Sequence, residues 1–312
     1  MLGKLQDADI KLLRMFRTIV RCGGFTPAQA ELNISQSAIS TQMAQLESRL
    51  DCRLCERGRG TFELTEEGKA VIEASDKLFA ALEDFRTEVA GAKGRLGGEL
   101  RLGLIDTTVT HSNPGIRDGL SRFCEAAPDA SIAIYVGNAL ELEQQLLDNR
   151  LHVAIGIFHN QPDTLSFATL MEERQRLYCG THHALFDNHA SVRPDEIARM
   201  PYVSWGYAER ESPANPAMQF NEKAQAQHIE GVAYLILTGH YIGFLPDHYA
   251  DYWVQQGQML ALLPEHFCRS STLSVACRKS APRSKLTDCF LGQLGPGYQP
   301  DAEVSARPAT PR

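Results

Sequence analysis

Apolar positions in the first 65 residues recur at helical spacing and are interrupted twice. Leu12, Leu13, Phe16, Ile19 and Val20 mark one face of a helix that Gly23-Gly24 brings to an end. Thr26-Pro27-Ala28-Gln29 then reads as a new start, with threonine as cap, proline in the first turn and glutamine reaching back to the cap amide. This predicts a short helix through Leu32 and a tight turn at Asn33-Ile34-Ser35. A third helix, capped by Ser35, should run from Gln36 to about Leu50. That helix has two faces: Ile39, Met43, Leu46 and Leu50 form an apolar stripe, and Gln36, Ser37, Ser40 and Thr41 lie opposite.

The period changes further along. Thr65 can cap a helix with Glu66 and Glu67 at its positive end. Val71, Ala74, Leu78, Ala81, Phe85 and Ala92 follow on a near-heptad stripe up to Gly94. A narrow apolar seam on one long helix is the pattern of a two-stranded coiled coil. Around Lys93–Gly98 a hinge intervenes. Beyond it, short β-rich runs at Leu100–Ile105, Ile132–Val136 and Val153–Ile157 alternate with helical stretches near Pro114–Glu125 and Leu140–Asn149, as successive βαβ units do. A further strand-and-helix set spans Ser166 to Tyr252, and Thr272–Arg278 with Lys285–Leu294 closes the fold. From Gly295 the chain is rich in Pro, Ala and Gly without periodicity, and a disordered tail is expected.

Composition bears on this division at a few points. The 312 residues suit two or three domains, and 43% hydrophobic with 22% charged residues is ordinary for a globular chain. The net charge of −7 is unevenly spread: residues 1–64 hold nine Lys/Arg against seven acids, +2, which leaves −9 for the remainder. A mildly basic head on an acidic body fits a nucleic-acid module joined to something that does not touch nucleic acid. Asp7 and Asp9 stand where a secretory leader would need an apolar core, and no apolar run reaches membrane-spanning length, so a cytoplasmic protein with no membrane partner is expected.

Catalytic patterns are missing. There is no Gly-x-Ser-x-Gly, phosphate-binding loop or dinucleotide fingerprint, and His182-His183 lacks an acidic or thiol partner at recognisable spacing, which suggests solvated loop histidines. The eight cysteines are scattered. Cys52-x-x-Cys55 has no second pair of ligands near it, so neither a metal nor a cofactor is expected and the thiols read as reduced and mostly buried. The chain is expected not to be an enzyme.

Two short helices joined by a three-residue turn, the second with an outward face of small hydrogen-bonding residues, describe a helix-turn-helix. Small side chains let such a helix sink into the major groove, and glutamine at its start can pair bidentately with adenine. The run from Phe16 to Gly68 also resembles the N-terminal signature of LysR-type transcription regulators. Phe25, Ala30, Leu32, Ser35-Gln36-Ser37-Ala38, Ser40, Leu46-Glu47, Leu50, Leu54, Arg57, Leu64-Thr65 and Gly68 match in unbroken spacing. Thr41, Asp51 and Cys55 stand where arginine, glycine and phenylalanine are more usual in the family. Gly231–Pro246 is similar to the family's late helix–strand segment, with His240 and Tyr241 in place of smaller residues.

The resemblance implies an all-α winged helix-turn-helix at residues 1–64, a linker and dimerisation helix at 65–94, and an α/β periplasmic-binding-protein-like effector domain of two lobes at 95–294, with the tail at 295–312. It implies that Gln36, Ser37, Ser40 and Thr41 face bases or phosphates of double-stranded DNA at an interrupted palindromic promoter site, and that Arg57 and Arg59 belong to the wing. It also implies a homodimer or homotetramer, contact with RNA polymerase and a small organic effector between the lobes. Ligands of open α/β sheets bind beyond the carboxyl ends of the strands. That rule nominates Thr107, Thr108, Asn138, Phe158, His159, Ser204 and Trp205 as effector contacts, with the aromatics and His159 favouring an apolar or aromatic organic acid. A free-standing solute-binding protein is the rival reading, and the complete helix-turn-helix argues against it.

Overall fold

A computed structural model describes residues 5–57, 62–92, 94–111, 115–188, 192–206, 219–279, 283–295, 297 and 298. The chain divides into two compact units between Glu83 and Asp84.

The first unit contains helices α1 (Asp7–Arg21), α2 (Phe25–Leu32) and α3 (Gln36–Leu50), a hairpin of β1 (Cys55–Arg57) and β2 (Phe62–Leu64), and the start of α4 (Glu66–Ala92). Phe16, Ile19, Ala28, Ile39, Met43 and Leu46 are wholly buried where the three short helices meet. Gly23, at φ 74°, lets the chain turn after α1, and Asn33, at φ 53°, makes the turn into α3. One expected start is displaced. Gly24, not Thr26, occupies the cap of α2, since its φ of 145° is open to glycine and strained for threonine. Phe25 thereby becomes the first helical residue, and its ring meets Phe62 edge-on at 5.9 Å. Thr65 caps α4, its Oγ1 accepting the Gly68 amide at 2.9 Å. Gly68 itself is required, because a Cβ there would lie 2.0 Å from the Leu54 carbonyl oxygen.

The second unit carries a nine-stranded mixed sheet. Strands β3 (Gly98–Leu104), β4 (Ala130–Val136) and β5 (Val153–Gly156) form a parallel set in the order β4-β3-β5. Strands β7 (Pro201–Trp205), β8 (Asn221–Ala226) and β9 (Ile242–Pro246) form another in the order β9-β7-β8. Two long antiparallel strands, β6 (Leu165–Gly180) and β11 (Cys268–Arg278), run between the sets and join them into one sheet, with β10 (Met259–Ala261) beside β6. Each parallel set with its helices is a lobe, and among the described residues β6 and β11 are the strands that pass from one to the other, which makes them the hinge.

Helices α5 (Gly115–Ala126), α6 (Ala139–Leu147) and α10 (Lys285–Gln293) cover the first lobe, and Phe123 of α5 meets Phe290 of α10 edge-on at 5.8 Å. Helices α7 (Pro194–Ala198), α8 (Ile229–Leu237) and α9 (Asp247–Gln255) belong to the second lobe. The βαβ reading of the sequence thus holds, and it holds twice. Tyr298 also packs against the core, so ordered packing extends past Leu294; the rest of the expected tail lies outside the described residues.

The last turns of α4 belong to this second unit. Asp84 accepts hydrogen bonds from Arg101 Nη2 at 2.7 Å, His152 Nε2 at 2.9 Å and Asn149 Nδ2 at 2.7 Å. Burial opposes its ionisation, but these donors together outweigh that and hold the carboxyl well below the usual carboxylate range. Burial pushes His152 down, and its Nδ1 accepts the Arg101 amide at 3.1 Å, so the neutral ring carries its proton on Nε2. Gly98 starts β3 so close to α4 that a Cβ would lie 2.1 Å from Thr87 Oγ1.

Candidate functional site

On the head, α3 presents its polar side to solvent. Ser35 caps the helix through the Ala38 amide at 3.3 Å, and Ile39, Met43 and Leu46 hold the other side in the core. Gln36, Ser37 and Thr41 are exposed and Ser40 is half-buried. Thr41 Oγ1 donates to the Ser37 carbonyl at 2.9 Å, and the Ser37 and Ser35 hydroxyls meet at 2.9 Å. The threonine hydroxyl is therefore committed as a donor, leaving its lone pairs and methyl group to face outward. The Gln36 amide is uncommitted among the described hydrogen bonds. Gln45 and Ser48 extend the same exposed face, an extension the helical period in the sequence could have found. Arg57 lies on β1, but its side chain and the whole of Arg59 fall outside the described residues.

In the second unit a small cavity of about 20 Å³, room for roughly one water, lies at the carboxyl ends of strands from both lobes. Ile105 follows β3, Asn138 and Ala139 follow β4, and Ile157 and His159 follow β5; Trp205 ends β7 and Gln227 follows β8. Apolar walls thus surround two carboxamides and an imidazole. Asn138 is also the cap of α6, its Oδ1 accepting the Glu141 amide at 3.0 Å.

The seven nominated effector residues separate on inspection. Asn138, His159 and Trp205 line this cavity together. Thr107 and Thr108 do not; Thr107 is at φ 65°, starting a one-turn helix over Thr108–Thr110, and Thr108 Oγ1 turns back to the Ile105 carbonyl at 3.4 Å. Phe158 is core, its ring 5.4 Å from Phe167. Ser204 is buried and donates to Glu222 Oε1 at 2.9 Å, because alternate residues of β7 face opposite sides of the sheet.

Residues that were not nominated link the lobes. Asp106 Oδ2 accepts the Ile229 amide at 2.7 Å, so a carboxylate of the first lobe sits at the N-terminus of α8 in the second. Burial pushes this carboxyl up, with that amide and His228, 3.8 Å away, acting in the opposite direction. Thr110 Oγ1 meets His248 Nδ1 at 2.8 Å, His248 Nε2 meets Glu173 Oε2 at 3.1 Å, and Gln175 Nε2 donates to Glu173 Oε1 at 2.9 Å. This chain of hydrogen bonds runs from the loop after β3, through α9, into hinge strand β6. The strand-end rule pointed to the 106–108 loop, but nothing local marked Asp106 as the residue that crosses.

The histidine pair is only half solvated, against the expectation of two solvated loop histidines. His182 is exposed, but His183 is buried, its Nδ1 accepting the Leu185 amide at 3.2 Å, and burial pushes the imidazole down. Among the described residues no group of three or more His, Cys, Asp or Glu side chains could hold a metal ion, and no helix is long and apolar enough to cross a membrane.

A helix-turn-helix head with an exposed polar helix face, joined by a long helix to a two-lobed domain with an inter-lobe cavity, defines a DNA-binding regulator that senses a small molecule. Comparison with known proteins agrees. Residues 10–69 match the family described as bacterial regulatory helix-turn-helix protein, lysR family, and residues 93–298 match the LysR substrate binding domain. The HTH-type transcriptional activator BauR of Pseudomonas aeruginosa is 40% identical over 291 residues, covering 93% of this chain and 95% of that one. The activator CmpR of a Synechocystis strain is 32% identical over 145 residues, 46% of each chain. Among solved structures, the LysR-family regulator CbnR superposes with a TM-score of 0.69 at 18% identity, covering 93% of this chain and 99% of that one. CbnR in complex with its target DNA gives 0.67, covering 91% and 98%. The chain belongs to the LysR family of transcription regulators: it is a DNA-binding regulator controlled by a small-molecule effector, and its relatives are named as regulators, not enzymes.

Proposed function

We infer that this regulator acts as a cytoplasmic homodimer, or a tetramer built from dimers, which holds α3 of each head in the major groove and takes its effector in the inter-lobe cleft. The observation that carries the effector reading is the cavity itself, whose walls come from the carboxyl ends of five strands in both lobes. A ligand there touches both lobes at once and so binds one arrangement of the hinge better than another, which is the requirement for control. Asn138, His159 and Gln227 supply its polar contacts, and Trp205, Ile105 and Ile157 its apolar ones. The cavity has room for about one water, so admitting an organic effector requires the lobes to part at Asp106 and His248. The apolar lining supports a small organic acid of low polarity.

The DNA reading rests on the exposed face of α3. Gln36 pairs with a base edge, Thr41 packs its methyl group and offers its lone pairs, Ser37 and Ser40 take phosphates or bases, and Arg57 and Arg59 of the wing reach the backbone. Dimerisation uses α4, where Leu82, Phe85 and Val89 are exposed along the same side as Ala74 and Ala81. Two heads on a two-fold axis read an interrupted palindrome. The relative named a transcriptional activator supports activation, and hence contact with RNA polymerase, as the outcome. Footprinting on a promoter fragment tests the cleft. The effector should alter the footprint or the bend of wild-type complexes and leave His159→Ala complexes unaltered; a response that survives in this exposed-residue variant would place the effector elsewhere.

A further inference from the structure

A second, larger cavity opens where the last two turns of α4 pack on the effector unit. Its volume is about 190 Å³, room for roughly six waters at about 30 Å³ each. Both signs of charge line it. Asp84 is fully engaged by Arg101, His152 and Asn149. Glu88, exposed on the same helix, has no ion-pair partner among the described residues. Arg278 of β11, half-buried, meets no carboxylate within 4 Å among them, and its one described side-chain hydrogen bond goes to Asn149 Oδ1. Four of its five guanidinium N–H donors are thus without a described protein partner. Ser284 and Thr287 stand at the N-terminus of α10, the positive end of the helix; Ser284 Oγ accepts the Thr287 amide at 3.1 Å and the two hydroxyls lie 3.0 Å apart, which leaves one hydroxyl proton of the pair to donate. The nearest counter-charge to this partly desolvated guanidinium is Asp84, which Arg101 and His152 already share, and water answers the remaining donors less well than a second carboxylate would.

We propose that this cavity is a second small-molecule site, for a short zwitterion whose carboxylate lies on Arg278 and the Ser284–Thr287 hydroxyls and whose ammonium lies on Glu88. Arg283 also lines the cavity but is paired with Asp288 at 3.1 Å, so Asp84 and Glu88 disfavour a phosphate, and a simple carboxylate would leave Glu88 without a counter-charge. The site is separate from the inter-lobe cleft, sharing no lining residue with it. Its ligand would bridge α4 to β11 and α10, and so favour one seating of the end of the long helix.

Calorimetric titration of the full-length protein tests this, using the α,ω-aminocarboxylates from glycine to 5-aminopentanoate, with propionate and propylamine as single-charge controls. At least one zwitterion should bind, with Arg278→Gln and Glu88→Gln each weakening it about tenfold or more and His159→Ala, in the cleft, leaving it intact. Glu88 is exposed, so its variant keeps the test decisive if Arg278→Gln fails to fold. No heat with any zwitterion at tens of millimolar, binding indifferent to Glu88→Gln, or propionate binding as tightly as the zwitterions would each overturn the proposal.

Discussion

In the head, Gln36, Ser37, Ser40 and Thr41 are neighbours on one helix, and their shared face follows from the 3.6-residue period alone. In the effector unit, the residues around the inter-lobe cavity come from the ends of five strands, from Ile105 to Gln227, and only the sheet order brings them together. The polar face of α3 needs one helix and a core to anchor it. The cleft needs two lobes, a hinge and the cross-lobe bonds of Asp106 and His248. The first should tolerate substitution of its polar residues without structural loss, while the second lies beside the contacts that set how the lobes meet.

Removing the head's anchor has the largest expected effect. Phe16→Ala takes out a wholly buried ring, at a cost of about 3–5 kcal/mol, and should unfold the head while the effector unit keeps its own calorimetric transition. Loss of both transitions together would mean that the two units do not fold separately. Asp84→Asn comes next: replacing one carboxylate oxygen by an amide sets donor against donor beside buried Arg101, costing about 1–3 kcal/mol in the effector transition. The sign with pH follows from both groups. Asp84 is held below its ordinary value and His152 is also lowered, so the stability they contribute is complete above about pH 6.5 and falls as pH drops, first through His152 and then below about pH 4 through Asp84. Acid titration of the variant should be flatter below pH 4 than that of the wild type; identical profiles would remove Asp84 from the account.

On the polar face of α3, Gln36→Ala with Thr41→Ala should weaken specific DNA binding by roughly 10- to 100-fold, at about 1–3 kcal/mol for a good base contact, with melting unchanged. Fluorescence anisotropy at fixed salt reads the loss, and a parallel fall in melting temperature would mean that the residues act through the fold. The smallest change is expected from Asp106→Ala. It leaves the Ile229 amide uncapped, about 0.5–2 kcal/mol in the effector transition, and should leave DNA affinity without effector close to wild type.

Much of this was legible in the chain. The helix-turn-helix, the long helix and the alternation of strands and helices follow from local period and caps, and the one displaced helix start goes with the positive φ of Gly24 and sets Phe25 against Phe62, a contact 37 residues away in sequence. The cleft was half legible. The strand-end rule selected loops that do meet around the cavity, yet Phe158 faces the core and Ser204 faces Glu222, since strand alternation cannot be phased without knowing which face is covered. Asp106, Thr110, His248 and Glu173 were invisible for a different reason: each acquires its role from a partner in another lobe or hinge strand.

The central claim is that the polar face of α3 reads DNA at particular promoters. Sequencing the fragments of its own genome that the purified protein retains, beside the Gln36→Ala, Thr41→Ala variant, tests it most directly. The account predicts a few promoter fragments sharing an interrupted palindrome, enriched by the wild type and lost in the variant. Retention of the same fragments by both proteins would contradict it.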